Sequence, residues 1–391
     1  MTATAIQSID WDAFYSELWG IEIISDRAQV VKLSQRRRHF RDQQNEHYPL
    51  DKTGFSLRRT GDKNVGFRQT SARNRLGIAD GSLNLSHRND WGFIGGGSGG
   101  IGSITYGQLR DRGNLHGVRV VTMEDKPRVI ELRGDEVQKV NHAYGTNGII
   151  TELEIPLAPA YAWAEIIVAF DDFMTSANFG QALGDADGII KKLICVCAWP
   201  IPAYFAAFRE EIPEGKHCAL LMVAESCLEP LQDLVGEYGG TICYQKNAQA
   251  ASKGAAIAEF TWNHTTLHAR SADPSLTYLQ TLFPADRGLK LIEELYNYYG
   301  DEVMMHLEFL RMNGRAIAAA LQIVRYSTES RLNEIIRYHE HQGALIANPH
   351  TYILEDGGMK SINMEQLQFK ELVDPYGLLN PGKMRVWLER D

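Results

Sequence analysis

Two glycine-containing segments are the parts of this sequence whose residue types and spacing could do chemistry. Residues 93–107 read FIGGGSGGIGSITYG, and residues 374–384 read DPYGLLNPGKM. Because glycine has no Cβ, the backbone N–H groups of such a run can closely approach a phosphate or a flat ring. The second segment is turn-rich and ends in asparagine, proline, glycine and lysine. Together they indicate a bound ligand that carries phosphate or an aromatic ring.

A nicotinamide dinucleotide site is one interpretation of the glycine run. The pattern G-x-G-x-x-G occurs twice between Gly95 and Gly102. A Rossmann site also needs a strand before the run, a helix after it and an acidic residue about 20 positions on. Glu124 and Asp125 lie at a suitable distance, but residues 103–117 contain three more glycines and read as a loop. An NAD(P)-binding Rossmann protein therefore stays an alternative, and so does a simple linker.

A polar stretch in an otherwise apolar region, residues 260–268 (FTWNHTTLH), is the best candidate for proton transfer. An unperturbed histidine has a pKa close to that needed by a base that takes a hydroxyl proton. We predict His264 as this base, with Asn263 or His268 orienting it. A structural histidine with satisfied hydrogen bonds is the alternative interpretation.

Two arginines are candidates for binding a substrate carboxylate. Arg270 follows the histidine stretch, and Arg325 ends the apolar run LQIVR. A guanidinium can bind a carboxylate through two parallel hydrogen bonds. The alternative for each is a solvated charge at the end of an element.

Cys195 and Cys197 form a C-x-C pattern within the apolar run LICVCAW. Alternation along a strand places both on one face. No other Cys or His cluster lies nearby in sequence, so we predict buried core residues rather than a redox or metal site.

The composition and charge of the chain argue against several classes of protein. The chain has 391 residues, 44% of them hydrophobic, and a formal charge of −9, which argues against a general binder of nucleic acid. No apolar run approaches the roughly 20 residues that span a bilayer, and the N-terminus shows no signal-peptide pattern. Five cysteines do not make a disulfide framework in a chain of this length. These observations predict a protein without a transmembrane segment, located in the cytoplasm.

Downstream of residue 93 the hydrophobic pattern alternates between strands and helices, which is typical of an α+β or α/β protein. Residues 118–123 and 128–132 read as a hairpin, and residues 148–157 read as a strand. Further strands are predicted at AEIIVAF, LICVCAW, ALLMVA, MMHLEF and AAALQIV. Amphipathic helices are predicted at residues 171–183, 227–238, 287–299 and 328–341.

The glycine run and the NPGK tail, taken in their order along the chain, resemble the FAD-linked oxidases of the vanillyl-alcohol oxidase and glycolate oxidase flavin-subunit type. The resemblance covers residues 10–35 and 93–391 and implies a PCMH-type FAD-binding fold. The stretch GTNGIIT at residues 145–151 is similar to the strand entry of that family, although Tyr144 and Asn147 depart from the commoner pattern. The cofactor contacts that the resemblance implies are Gly97, Ser98, Gly99, Gly102, Ser103, Tyr106, Gly148, Ile150, Asn380 and Lys383.

The resemblance also implies an architecture and a reaction. It implies an α+β, two-domain flavoprotein. Residues 1–157 would form an incomplete FAD-binding domain, residues 158–345 a ferredoxin-like α/β cap that binds substrate, and residues 346–391 a segment returning to the FAD domain. A small hydroxy acid or alcohol would pass hydride to N5 of FAD, and an unknown electron acceptor would reoxidise it. The alternative from another class is a non-catalytic remnant of such an enzyme. Since the family's H-x-G-D-G-N pattern is absent from the sequence, and Asn348-Pro349-His350 is a poor substitute, we predict no metal.

Residues 36–92 depart from the family. They are basic inside an acidic protein, with sparse aliphatic residues that follow neither a helical nor a strand period. If permitted codons for residues 67–93 are read one base later, they can give a string ending PSTYRTATIGG, as the flavin loop of this family usually reads. The same shift at residues 42–54 can give ISKMNTILSIKPG. We therefore predict that residues 36–92 are out of frame; as written, the segment has a composition typical of disorder. A basic arm that binds nucleic acid is the alternative, disfavoured because aromatic residues are not interleaved with the charges.

Overall fold

The computed structural model describes residues 21–26, 30–35, 76–78, 94–97, 99–159, 161–251, 256–358 and 360–390. Apart from residues 76–78, the segment predicted to be out of frame lies outside the described residues, and so does Ser98.

The first sheet is antiparallel and, in the part of the chain that the structure describes, has six strands in the order β1-β2-β6-β4-β5, with β3 also pairing with β6. The predicted hairpin at residues 118–123 and 128–132 is confirmed, with Val118 opposite Leu132. Val118, Leu132 and Leu153 are buried here in one apolar cluster with Phe369 and Val373 from near the C-terminus. The strands are β1 (Ile21–Asp26), β2 (Val30–Gln35), β3 (Leu76–Ile78), β4 (Gly117–Val121), β5 (Val129–Arg133) and β6 (Ile149–Pro159).

The second sheet is also antiparallel and has nine strands, in the order β10-β7-β9-β8-β13-β14-β11-β15 with β12 pairing with β14. Its central strands are buried on both faces, which explains why they read as continuous apolar runs rather than as alternating ones. The strands are β7 (Trp163–Phe170), β8 (Lys191–Cys197), β9 (His217–Ala224), β10 (Thr241–Lys246), β11 (Leu276–Leu282), β12 (Val303–Met304), β13 (His306–Met312), β14 (Arg315–Arg325) and β15 (Leu345–Ala347).

The four predicted amphipathic helices are confirmed within a few residues, and their apolar sides join the core on one face of the second sheet. The Asp172 carboxylate accepts a hydrogen bond from Thr175 N at 2.7 Å and so begins α2. The helices are α1 (Ser103–Tyr106), α2 (Phe173–Asp185), α3 (Leu228–Glu237), α4 (Ala248–Ala251), α5 (Asn263–Ala272), α6 (Gly288–Tyr299), α7 (Glu329–His341), α8 (Met364–Val373) and α9 (Arg385–Leu388).

Helix α2 packs very closely on the sheet because it carries glycine at the contact. A Cβ at Gly180 would lie 2.6 Å from the Phe309 ring and 3.1 Å from Val196. A larger residue at this position would push the helix off the strands.

The opposite face of the second sheet is covered by α5 and by two short 3₁₀ turns, Ile201–Tyr204 and Ile257–Phe260. Cys195 and Cys197 are fully buried in this layer, as predicted for core residues. The histidine stretch, for which no helix was predicted, runs from the last residue of the 3₁₀ turn Ile257–Phe260 into α5.

The chain is thus a mixture of helices and antiparallel sheets. The boundary predicted after residue 157 falls inside β6, and the division into domains stays a prediction. None of the helices that the structure describes is both long and apolar enough to pass through a bilayer.

Candidate functional site

The glycine run is held against residues 142–145 by backbone hydrogen bonds. Ile94 O accepts from His142 N at 2.9 Å, and Gly95 O accepts from Tyr144 N at 2.7 Å. Gly97 has a φ of 60°, and a Cβ there would lie 2.5 Å from His142. Only glycine fits both the positive φ and the close approach, so the position requires it.

The second half of the run is joined to the nine-stranded sheet. Gly102 N donates to Lys192 O at 2.6 Å, and Thr105 Oγ1 donates to Lys191 O at 2.5 Å. Ser103 is fully buried, and its Oγ accepts from Gly100 N at 2.8 Å. Residues 99–106 therefore lie where the two sheets approach one another, with α1 as their last turn.

Gly99 lies beside the side chains of Trp262 and Gln108. A Cβ at Gly99 would be 3.0 Å from the Trp262 ring and 3.5 Å from Gln108 Nε2. Trp262 Nε1 and Gln108 Oε1 are buried, and neither has a hydrogen-bond partner among the residues that the structure describes. Burial raises the pKa of the phenol of Tyr106, the last residue of α1. The two side chains that flank Gly99 thus carry a buried donor and a buried acceptor, neither of them paired within the described part of the chain.

The C-terminal tail, residues 374–384, is held against the loop of residues 142–148. Asn380 Nδ2 donates to Tyr144 O at 2.5 Å. Lys370 Nζ donates to Thr146 O at 3.0 Å and to the Asp374 carboxylate at 2.6 Å. The structure thus brings Asn380 next to the GTNG stretch, far away in sequence.

Asp374 and Lys370 are both buried and form the centre of this junction. Asp374 also accepts from Leu378 N and Leu379 N, each at 2.8 Å. The side chains of Lys370 and Asp374 are 2% and 0% exposed. Burial lowers the pKa of Lys370, and its hydrogen bond to Asp374 opposes part of that shift.

The remaining predicted cofactor contacts have protein neighbours. Lys383 Nζ lies 4.9 Å from the centre of the Tyr352 ring. Gly148 has a φ of 82° and packs 3.3 Å from Val120, measured to a Cβ built on it. Ile150 is half-buried and contributes to the core of the first sheet.

A polar cavity of about 460 Å³ opens beside His142, next to Gly97. Arg110 and Lys360 give it positive charge, which the Asp111 carboxylate in the same lining offsets in part. Burial, with these two cations, lowers the pKa of His142 to about 3, so the imidazole is neutral at neutral pH. Burial, with Arg110, lowers the pKa of Lys360 to about 8. The cavity can therefore stabilise an anionic group.

The predicted catalytic stretch lies close to the glycine run, since Trp262 contacts Gly99 and immediately precedes α5. His264 is half-buried, and its Nδ1 lies 3.2 Å from the Glu259 carboxylate. Asn263 is the exposed first residue of α5. Glu259, which the sequence gave no reason to single out, is therefore the side chain placed to orient His264.

His268 and the two candidate arginines have other surroundings. The His268 ring stacks on Phe260 at 4.4 Å, and its Nε2 lies 2.9 Å from Glu259 O. Arg270 is exposed in the last turn of α5. Arg325, also exposed, donates from Nε to Asp301 O at 3.1 Å and lies 3.7 Å from Asp273.

The Rossmann interpretation lacks its structural requirements in the part of the chain that the structure describes. Both sheets are antiparallel, and the glycine run is followed by α1, which has four residues. A dinucleotide site of that type needs parallel strands joined by a full helix.

No family model and no curated protein sequence matches the chain. Solved structures do match. Alkyldihydroxyacetonephosphate synthase in crystal form P1 superposes with a TM-score of 0.57 at 12% identity, covering 93% of this chain and 66% of that chain. The structure of that protein in form P212121 gives a TM-score of 0.52 at 13% identity, covering 78% and 60%. The chain thus spans 66% and 60% of the length of these two structures, and the likeness shows that it shares their fold.

Replacing Lys370 with methionine should destabilise the protein strongly. Asp374 would remain buried without its cation, a change that typically costs about 3–5 kcal/mol. The matched control is Lys290→Met, which removes an exposed lysine 3.8 Å from Glu294 at the same i,i+4 spacing. Urea unfolding should show a large loss for the first variant and little change for the second. Equal midpoints for both variants would show that the buried pair does not hold the tail.

Proposed function

We propose that this protein binds FAD along residues 97–106 and the C-terminal tail and oxidises a small hydroxy acid or alcohol. The observation that carries the proposal is the meeting of the glycine run, the GTNG stretch and the NPGK tail. Tyr144 links them, because its N–H donates to Gly95 O and its carbonyl accepts from Asn380 Nδ2. The fold shared with alkyldihydroxyacetonephosphate synthase is consistent with it.

Trp262 and Gln108, whose side chains flank Gly99, each carry a buried polar atom without a partner among the described residues, and a flavin would supply one. Trp262 Nε1 can donate and Gln108 Oε1 can accept, and the edge of a flavin ring offers both kinds of partner. The cationic cavity beside His142 suits the cofactor's phosphates, with Arg110 and Lys360 supplying the charge. Lys383 would stabilise negative charge on the ring. When bound, the flavin supplies the hydride acceptor.

The chain's own residues would prepare the substrate. His264, held by Glu259, would take the hydroxyl proton. Arg270, exposed at the other end of α5, would bind a substrate carboxylate, and Arg325 is the second candidate. Such an enzyme needs a separate electron acceptor to reoxidise the flavin. A non-catalytic remnant of the same fold is the competing proposal, because residues 36–92 do not read like the family.

Flavin titration separates the two proposals. FAD would be titrated into the chain as written and into a protein whose codons for residues 36–92 are restored to the shifted frame. We expect the restored protein to bind one FAD per chain, with flavin fluorescence as the signal, and the chain as written to bind more weakly. A restored protein that folds but binds no FAD contradicts the proposal and favours the remnant.

A pair of glycine variants locates the binding site. Gly99→Leu should abolish FAD binding, because its side chain enters the space beside Trp262 and Gln108. Gly188→Leu is the control, since a Cβ there meets nothing within 4 Å. Comparable melting temperatures would show that both variants are folded. Equal FAD affinity of the two variants would place the cofactor elsewhere.

In the flavin-loaded protein, His264→Ala should slow flavin reduction by substrate about 10²–10⁴-fold while leaving flavin bound. Stopped-flow absorbance of the flavin measures the rate. His341→Ala, at an exposed position in the last turn of α7, is the control and should change nothing. An unchanged reduction rate in the His264 variant would make this histidine structural.

A further inference from the structure

Three neighbouring strands of the second sheet bring thiols and an imidazole together in the core. In the register of the sheet, Cys197 lies opposite His306 of β13 on one side and opposite Cys218 of β9 on the other. Cys195 lies opposite Glu308. Alternation along the strands puts all five side chains on the face covered by α5, and each of them is 0% exposed.

The two sulfurs of the C-x-C pair turn toward one another. Side chains two residues apart on a strand start roughly 7 Å apart. The Sγ atoms of Cys195 and Cys197 are nevertheless only 3.7 Å apart. Two thiolates that bind one zinc ion tetrahedrally, with Zn–S bonds of about 2.3 Å, have sulfurs about 3.8 Å apart. A ring nitrogen of His306 completes the group, because it and the two sulfurs all lie within 4.8 Å of one another.

The hydrogen bonds of His306 fix which ring nitrogen carries the proton. The Thr265 hydroxyl donates to Phe260 O at 2.7 Å, so its oxygen accepts at its 3.3 Å contact with His306 Nε2. Glu308 Oε1 lies 2.9 Å from the same nitrogen, and it is also the acceptor for Trp262 N. Nε2 is therefore the protonated nitrogen.

The other ring nitrogen of His306, Nδ1, carries a lone pair that can accept a hydrogen bond or bind a metal. This atom is buried and has no hydrogen-bond partner among the described residues. A buried hydrogen-bond acceptor without a partner destabilises the folded protein, so its presence needs a structural reason. An imidazole that donates one N–H to a carboxylate and points its other nitrogen at a metal is the usual arrangement of a zinc-bound histidine.

We propose that Cys195 Sγ, Cys197 Sγ and His306 Nδ1 bind a zinc ion. Two thiolates and a neutral imidazole would leave no net charge on the complex, which suits a core without solvent. Glu308 holds the imidazole by accepting a hydrogen bond from Nε2. Thiolate and imidazole ligands select zinc over magnesium or calcium. The site could not be predicted from the sequence, because His306 is distant along the chain from the C-x-C pattern.

The site is independent of the flavin proposal, and its full burial gives a direct assay. A zinc ion enclosed in the core should be acquired while the chain folds in zinc-supplemented cells, and should then resist EDTA. Zinc bound at the surface should instead be removed by EDTA. We expect about one EDTA-resistant zinc ion per chain in the purified protein, measured by mass spectrometry of the metal content.

Variants test the ligands. Cys197→Ser and His306→Ala should lose at least nine tenths of this zinc. Cys227→Ser should keep it, because Cys227 is a buried thiol in the core on the other face of the sheet. A wild-type protein without EDTA-resistant zinc overturns the proposal, and so does a Cys197→Ser protein that retains as much as the control.

X-ray absorption at the zinc edge of the unmutated protein keeps the proposal testable if the variants do not fold. The expected first shell contains sulfur at about 2.3 Å and nitrogen at about 2.0 Å. A shell of oxygen and nitrogen alone means an adventitious ion only, and would contradict the site.

Discussion

The buried ion pair between Lys370 and Asp374 is the interaction on which the arrangement of the candidate site depends. The Lys370 ammonium has three oxygen acceptors, on Thr146, Asp374 and Leu379. The Asp374 carboxylate accepts two backbone N–H groups as well as the ammonium. Neither charge reaches solvent, so each stabilises the protein only while the other is present. The turn that carries Asn380 follows directly, and its contact with Tyr144 rests on this junction.

From that junction the site extends in two directions. Tyr144 and His142 hold the start of the glycine run through backbone hydrogen bonds, and Gly97 packs on His142. At the other end Gly102 is bound to β8, and the Trp262 ring lies against Gly99. Trp262 N in turn donates to the buried Glu308, which connects the glycine run to the covered face of the second sheet. The glycines are thus required for protein contacts here as well as for the space that a cofactor would need.

The elements that follow a local period were predictable from the sequence. Strong hydrophobic patterns within single segments predicted the hairpin of β4 and β5, the apolar strands β7, β8 and β9, and helices α2, α3, α6 and α7. Helix α5 was missed because NHTTLHARSA has threonines and histidines where apolar residues mark a helix. Strand β10 was missed because it is a half-exposed edge strand.

The site was only partly predictable, because much of it depends on contacts between distant parts of the chain. The sequence motifs identified the glycine run and the tail as candidate cofactor contacts. No local pattern shows, however, that Asn380 bonds to Tyr144 or that Glu259 lies beside His264. The pairing of Cys197 with His306 depends on the register of β8 with β13. Register is fixed by the packing of whole strands and cannot be read from either segment alone.

Hydrogen exchange with and without saturating FAD tests most directly whether these three distant segments form one cofactor site. We expect FAD to slow amide exchange at residues 97–106, 142–148 and 378–384 together. Exchange in helices α6 and α7 should be unchanged, because they lie on the far side of the second sheet. Slower exchange confined to other regions, or no change anywhere at saturating FAD, would contradict the account.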